Sequence, residues 1–243
     1  MYFTKTLAVL AALTGLLCTS AHATPINLVT NGDFETTTNG AGRLTTSTVA
    51  TGWTTNGYNF LFAGNGADKN NFLTLWGPAN GSLNGLGASP VGGNFIGADG
   101  AYGVGAIQQT IKGLVVGQQY DLSFYWAAAQ QNGFSGVTTE KWNVSLGNQT
   151  ISTATFTNAN HGFSGWMYET FTYTATATTE VLSFLAYGTP NGEPPFSLLD
   201  GVSLKAKADI PEPSSTALFL GGLALLALAM RLSRRNGAIP PRQ

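Results

Sequence analysis

Along the middle of the chain, hydrophobic and polar positions trade places at every residue. In "QYDLSFYWAA" (119–128), Tyr120, Leu122, Phe124 and Trp126 share one face, while Gln119, Asp121 and Ser123 share the other. "KWNVSLGN" (141–148) groups Trp142, Val144 and Leu146, and "EVLSFLAYG" (180–188) groups Leu182, Phe184 and Ala186. "FSLLDGVSL" (196–204) brings Leu198, Val202 and Leu204 into one row. A period of two marks a half-buried strand, because successive side chains leave a pleated backbone on opposite sides. Further strands are expected at 26–35, 59–64, 71–76, 94–98, 105–111 and 166–175. Turn signals such as Gly92-Gly93, Asp99-Gly100, Gly117, Gly147-Asn148 and Asn191-Gly192 separate the later ones. Neither a helical period of useful length nor an internal repeat interrupts this pattern. Many short strands at close spacing predict an all-β chain, a jelly-roll-type β-sandwich.

The two ends depart from alternation. Lys5, an apolar run over Leu7–Leu17 and Ala21-His22-Ala23 have the order of a secretory signal peptide cut after Ala23. The single cysteine, Cys18, leaves with it, so the mature chain has no thiol for a disulfide or a metal. At the other end, residues 216–230 carry no charge, and Arg231, Arg234 and Arg235 follow closely. An apolar stretch followed by basic residues reads as a membrane stop with its basic side in the cytoplasm. The expected organisation is a signal peptide (1–23), a sandwich body (24–207), a Pro-containing linker (208–215), a transmembrane helix (216–232) and a basic tail (233–243).

Charge narrows the function classes. All 12 acids lie between residues 24 and 215, against only six bases there: Arg43, Lys69, Lys112, Lys141, Lys205 and Lys207. A mildly acidic body has no electrostatic footprint for nucleic acid, which needs clustered Lys and Arg to neutralise phosphates.

Two resemblances follow from particular residues. Pro211, Glu212 and Pro213, then the apolar segment, then Arg231, Arg234 and Arg235 resemble the PEP-CTERM sorting signal of Gram-negative bacteria, although this tail runs on through "NGAIPPRQ". That resemblance implies passage through the inner membrane and processing by exosortase, a membrane-embedded cysteine protease. It also implies residence at the cell surface or in extracellular matrix, with exopolysaccharide of biofilm or floc as partner. The body, through "NLVTNGDFE", Gly52-Trp53, "GLVVGQQYDLSFYWAA", Trp166 and "FSLLDGVSL", is similar to galactose-binding-like sandwiches and the carbohydrate-binding modules that share their fold. Such modules bring their first and last strands together and often tie them with a structural calcium ion. The resemblance implies Glu35 and Asp200 as its ligands, with Asp33 or nearby carbonyls adding oxygens; the donor types suit that ion.

Sugars present C–H faces to aromatic rings, so Trp53, Tyr58 and Trp76, beside Gly- and Asn-rich loops, are the candidate ligand-binding residues. Trp126 and Trp142 belong to the core face by parity, and Trp166 reads as a core plug. Catalysis finds little support. His161 in "NANHGFSG" is the only histidine after signal removal and reads as a solvated loop residue, so a triad is not expected. A glycan hydrolase or lyase would need two facing carboxylates; Asp99, Glu140, Glu169 and Glu193 are available, but their spacing singles out no pair. The reading is a non-enzymatic exported protein associating with polysaccharide, the alternative a secreted glycan-active enzyme using a carboxylate pair.

Overall fold

The computed structural model describes residues 25–45, 48–69, 72–208 and 215–236. The expected signal peptide and Pro211, Glu212 and Pro213 lie outside the described residues. The described residues form β1 (Gly42–Arg43), β2 (Thr54–Thr55), β3 (Asn59–Ala63), β4 (Asn94–Asp99), β5 (Ile107–Lys112), β6 (Gln119–Gln130), β7 (Thr138–Leu146), β8 (Gln149–Ser152), β9 (Phe156–Asn158), β10 (Met167–Thr174), β11 (Thr179–Thr189), β12 (Pro195–Ala206) and α1 (Ser215–Asn236).

The strands make two antiparallel sheets, ordered β1-β3-β4-β12-β6-β10 and β2-β5-β11-β7-β8, with β9 also on β7. The body is therefore the all-β sandwich that the alternation predicts. Leu122, Phe124 and Trp126 of the first sheet meet Trp142, Val144, Leu146, Leu182 and Phe184 of the second in one inner core. Phe124 meets Phe184 edge-on at 5.1 Å between ring centres, a favoured aromatic geometry. The Trp142 indole N–H donates to the Leu198 carbonyl at 3.0 Å, which satisfies a buried donor across the sheets.

A second core lies on the outer side of the first sheet. Phe60, Phe62, Phe95, Phe196 and Leu198 pack there under Leu73, Leu75 and Leu86 of the β3–β4 connection. Side chains organise that connection: Asn80 donates through Nδ2 to the carbonyls of Leu75 (2.7 Å) and Asp68 (3.1 Å), and the Ala79 N–H donates to Asp68 Oδ2 (2.7 Å). Within the expected strand at 71–76, residues 72–76 are thus a covering loop with one bridge, Leu75 to Gln131.

The predicted row Leu198, Val202, Leu204 does not exist. The register of β12 on β6 shifts between Asp200 and Ser203, with Gly201 at φ 61°. A bulge inserts a residue and reverses the parity beyond it. Leu198 therefore faces the outer core, while Leu199, Val202 and Leu204 face the inner one. The first segment, expected as a strand at 26–35, runs along β12 without strand regularity: Leu28 N–H donates to the Leu204 carbonyl and Val202 N–H to that of Gly32, both at 2.8 Å. A Cβ on Gly32 would stand 2.0 Å from the Val202 oxygen, so only glycine permits this approach.

The tail forms a unit of its own, residues 208–243. The helix is present, but among the described residues no helix is long and apolar enough to cross a membrane. The expected transmembrane helix over 216–232 is not found. Uncharged residues 216–230 rise only about 22 Å at ~1.5 Å each, against a hydrocarbon core of about 30 Å. Gly221, Gly222 and interspersed alanines dilute its apolarity further. Phe219, Leu223, Leu225, Leu226, Leu228 and Met230 are nevertheless exposed along it.

Candidate functional site

Edge strands β1 and β2 close the two sheets on the same side, and a hollow of about 500 Å³ opens between them. Its floor is apolar, with Leu44, Trp53 and Ile107, while Arg43, Thr48, Thr54 and Asn56 supply polar walls. Trp53 shows only 4% of its surface, and its indole N–H is spent on the Asn31 carbonyl at 2.9 Å. It packs against Phe34 at 5.3 Å, so it anchors the core and offers no stacking face. Tyr58 is half-buried and stands edge-on to both Phe60 (4.7 Å) and Tyr102 (5.3 Å). The Arg43 guanidinium lies 4.9 Å from its ring centre, within cation–π range.

Trp76 sits elsewhere, and no ring contact among the described residues joins it to Trp53 or Tyr58. One face of its indole stacks on His161 at 3.8 Å, and its N–H donates to the Phe134 carbonyl at 2.7 Å. The half-buried His161 is therefore not the solvated side chain the sequence suggests. It holds φ 57°, its N–H donates to Gln130 Oε1 (2.8 Å), and its carbonyl accepts from Ser82 Oγ and Asn84 Nδ2 (both 2.9 Å). Side-chain bonds on both peptide groups over-determine this left-handed conformation. His161 Nε2 lies 2.9 Å from Ser135 Oγ, a pairing across 26 residues that no local motif signals. A serine bonded to an imidazole is half of a nucleophile–base pair. Acyl transfer also needs free N–H groups for the oxyanion. Here the Ser135 N–H goes to Glu193 Oε2 (2.9 Å) and the Gly136 N–H to Asn160 Oδ1 (2.6 Å). The arrangement locks two loops together.

The carboxylates do not assemble a hydrolytic pair. Asp99 and Glu140 are buried, at 1% and 0% exposure. Burial pushes the Glu140 carboxyl up to about 8, against hydrogen bonds from Thr138 and Asn158 that favour its ionised form. Thr138 Oγ1 donates to Glu140 Oε1 at 2.5 Å, while Oε2 has no partner. Glu169 is half-buried on β10, opposite Phe124, and Glu193 is engaged by Ser135.

Asp200, at the β12 bulge, is fully buried; its Oδ1 accepts the Gly201 N–H at 2.7 Å, and Oδ2 has no partner. Burial, with the charges of Glu35 and Asp33 adding to it, pushes its carboxyl up to about 7 against hydrogen bonds from Ser89 and Gly201. Glu35 and Asp33 are exposed, and Glu35 Oε1 accepts the Asn94 N–H. Among the described residues, no three His, Cys, Asp or Glu side chains converge as a metal-binding group. The orphaned buried Asp200 oxygen fits a hard cation in donor type, but Glu35 and Asp33 reach it only through their charge and do not close a shell around it.

Residues 209–235 match the PEP-CTERM protein-sorting motif, so the chain carries that sorting signal. Halomucin of Haloquadratum walsbyi is 28% identical over 193 residues, 78% of this chain; the chain spans about 2% of that protein's length. Among solved structures, TmCBM61 in complex with β-1,4-galactotriose aligns with 75% of this chain and 99% of its own, at 14% identity and a TM-score of 0.41. The CBM22-1 xylan-binding domain of Paenibacillus barcinonensis Xyn10C aligns with 78% of this chain and 100% of its own, at 14% identity and a TM-score of 0.39.

Proposed function

We propose that this is a non-enzymatic exported protein, sorted through its PEP-CTERM motif to the cell surface or extracellular matrix, where its sandwich associates with polysaccharide. The observation that carries the reading is the order of parts in one chain: a two-sheet body with a polar-walled hollow, then the sorting motif at 209–235. Exosortase-type processing is the step the motif serves. Before it, α1 holds the chain at the inner membrane. Its exposed leucines need cover, and an uncharged stretch shorter than the hydrocarbon core gives a shallow, releasable hold, helped by Arg231 reaching for the headgroups. The hollow, with Tyr58 beside it, is the sugar-contacting surface; Trp53 supports it from within the fold, while Trp76 stacks on His161 elsewhere.

Calcium, where bound, joins the first segment to β12 through Glu35 and Asp200, with Asp33 close by; it supplies charge compensation for the buried carboxylate and performs no chemistry on the glycan.

Pull-down of the full chain on the polysaccharide of its own producer tests the reading. Retention is expected, and release of all protein at the first wash overturns it. Intact mass of the matrix-associated form is expected to lack the segment after Pro213; a mass that retains it removes the processing step. Chelation is expected to lower the melting midpoint, and an unchanged midpoint removes calcium.

A further inference from the structure

We infer that Arg43 makes the hollow between β1 and β2 selective for glycans bearing carboxylates, that is, uronic acid residues; this rests on the glycan reading above and specifies its ligand. Arg43 is the only arginine before Arg231, in a body whose other bases are lysines. It lies on the rim of the hollow, and among the described residues no acid lines that hollow. Its guanidinium rests on the Tyr58 ring at 4.9 Å, and no carboxylate among the described residues pairs with it. Stacking on an aromatic face limits the rotamers of a long side chain, so less freedom is lost when it captures an anion.

The rest of the hollow explains why charge decides. Leu44 and Trp53 expose 5% and 4% of their surfaces, so the floor gives a sugar ring almost no stacking area. What remains for recognition is polar: the exposed Thr54 and Asn56 for hydroxyls, and one planar cation whose paired N–H donors match a carboxylate. Elsewhere the body is acidic and repels a polyanion, so any attraction is local. A cation on an edge strand also discourages strand addition; lysine serves that purpose equally well, which separates the two roles.

The test compares retention of the full chain by polygalacturonate and by the same polymer with its carboxyls reduced to alcohols. The acidic polymer is expected to bind about tenfold tighter, corresponding to one charge-assisted hydrogen-bonded pair. The difference should shrink with added salt. Arg43→Gln is expected to bring the two polymers together, and Arg43→Lys to restore part of the gap, with unchanged melting midpoints in both variants. Equal retention of both polymers by the unaltered chain overturns acid selectivity and leaves glycan association standing. Undiminished acidic retention by Arg43→Gln overturns the role of Arg43. Retention of neither polymer overturns the inference, and the producer's own polysaccharide in the same assay then decides the reading beneath it.

Discussion

The two sheets solve burial differently. The first is covered on both faces over β3, β4 and the first half of β12, by the inner core and by the β3–β4 connection, so β4 and the first half of β12 are buried at nearly every position. The second is covered only inside: β7 alternates strictly between buried and half-buried residues, and Val181, Leu185 and Tyr187 of β11 stand in solvent. One-sided burial preserves a period of two, whereas two-sided burial erases it. The difference teaches where sequence patterns can be trusted. It also explains why aromatic residues that draw attention as sugar platforms end up as supports for a covered sheet.

Substitutions can break this contrast in order of effect. Trp142→Ala removes a side chain that fills the shared inner core and bonds to β12, and should cost about 3–5 kcal/mol in urea unfolding. A loss below ~1 kcal/mol would mean the sheets are not joined there. Leu75→Ala touches only the outer core and should cost about 2–4 kcal/mol. Hydrogen exchange in that variant should quicken in residues 72–86 more than in β7; uniform quickening would deny the outer core any separate identity.

Glu140 tests the one-sided sheet from its inner face. Its folded value of about 8 lies above the ordinary 4.5, so the folded chain holds a proton that the unfolded chain releases. Stability is therefore full below about pH 4.5 for this group and declines as pH rises from there through about 8, by on the order of 5 kcal/mol. Melting midpoints should fall over that window, and Glu140→Gln should flatten the slope; an unaltered slope would place the titration elsewhere. Smallest of all, Leu185→Thr on the open face should change stability by no more than ~0.5 kcal/mol. A larger loss would show that something covers that face.

Much of the fold was legible because β7, β11 and the first half of β6 each present one face to a single core, and their parity survives in the structure. Two-residue strands such as β1 and β2 have no period to read, and the bulge at Asp200 reverses parity without altering the local pattern. The site was less legible. Trp53 was visible as an aromatic residue beside a loop, yet its burial depends on the sheets meeting around it. Arg43 was missed; its solitude among the body's bases was the available signal. Ser135 and His161 meet because Gln130 bonds to both of their loops and the Gly136 N–H donates to Asn160 Oδ1 across them.

By itself, then, the sequence determined the sandwich class, the inward faces of β6, β7 and β11 and the sorting motif, since each is written in neighbouring residues whose alternation or order is local. Tertiary structure alone decided which sheet receives a second cover, which aromatic residues retain a free face and which cation stands beside a hollow. Those outcomes depend on segments far apart in the chain competing for the same buried space, and no local pattern records who wins.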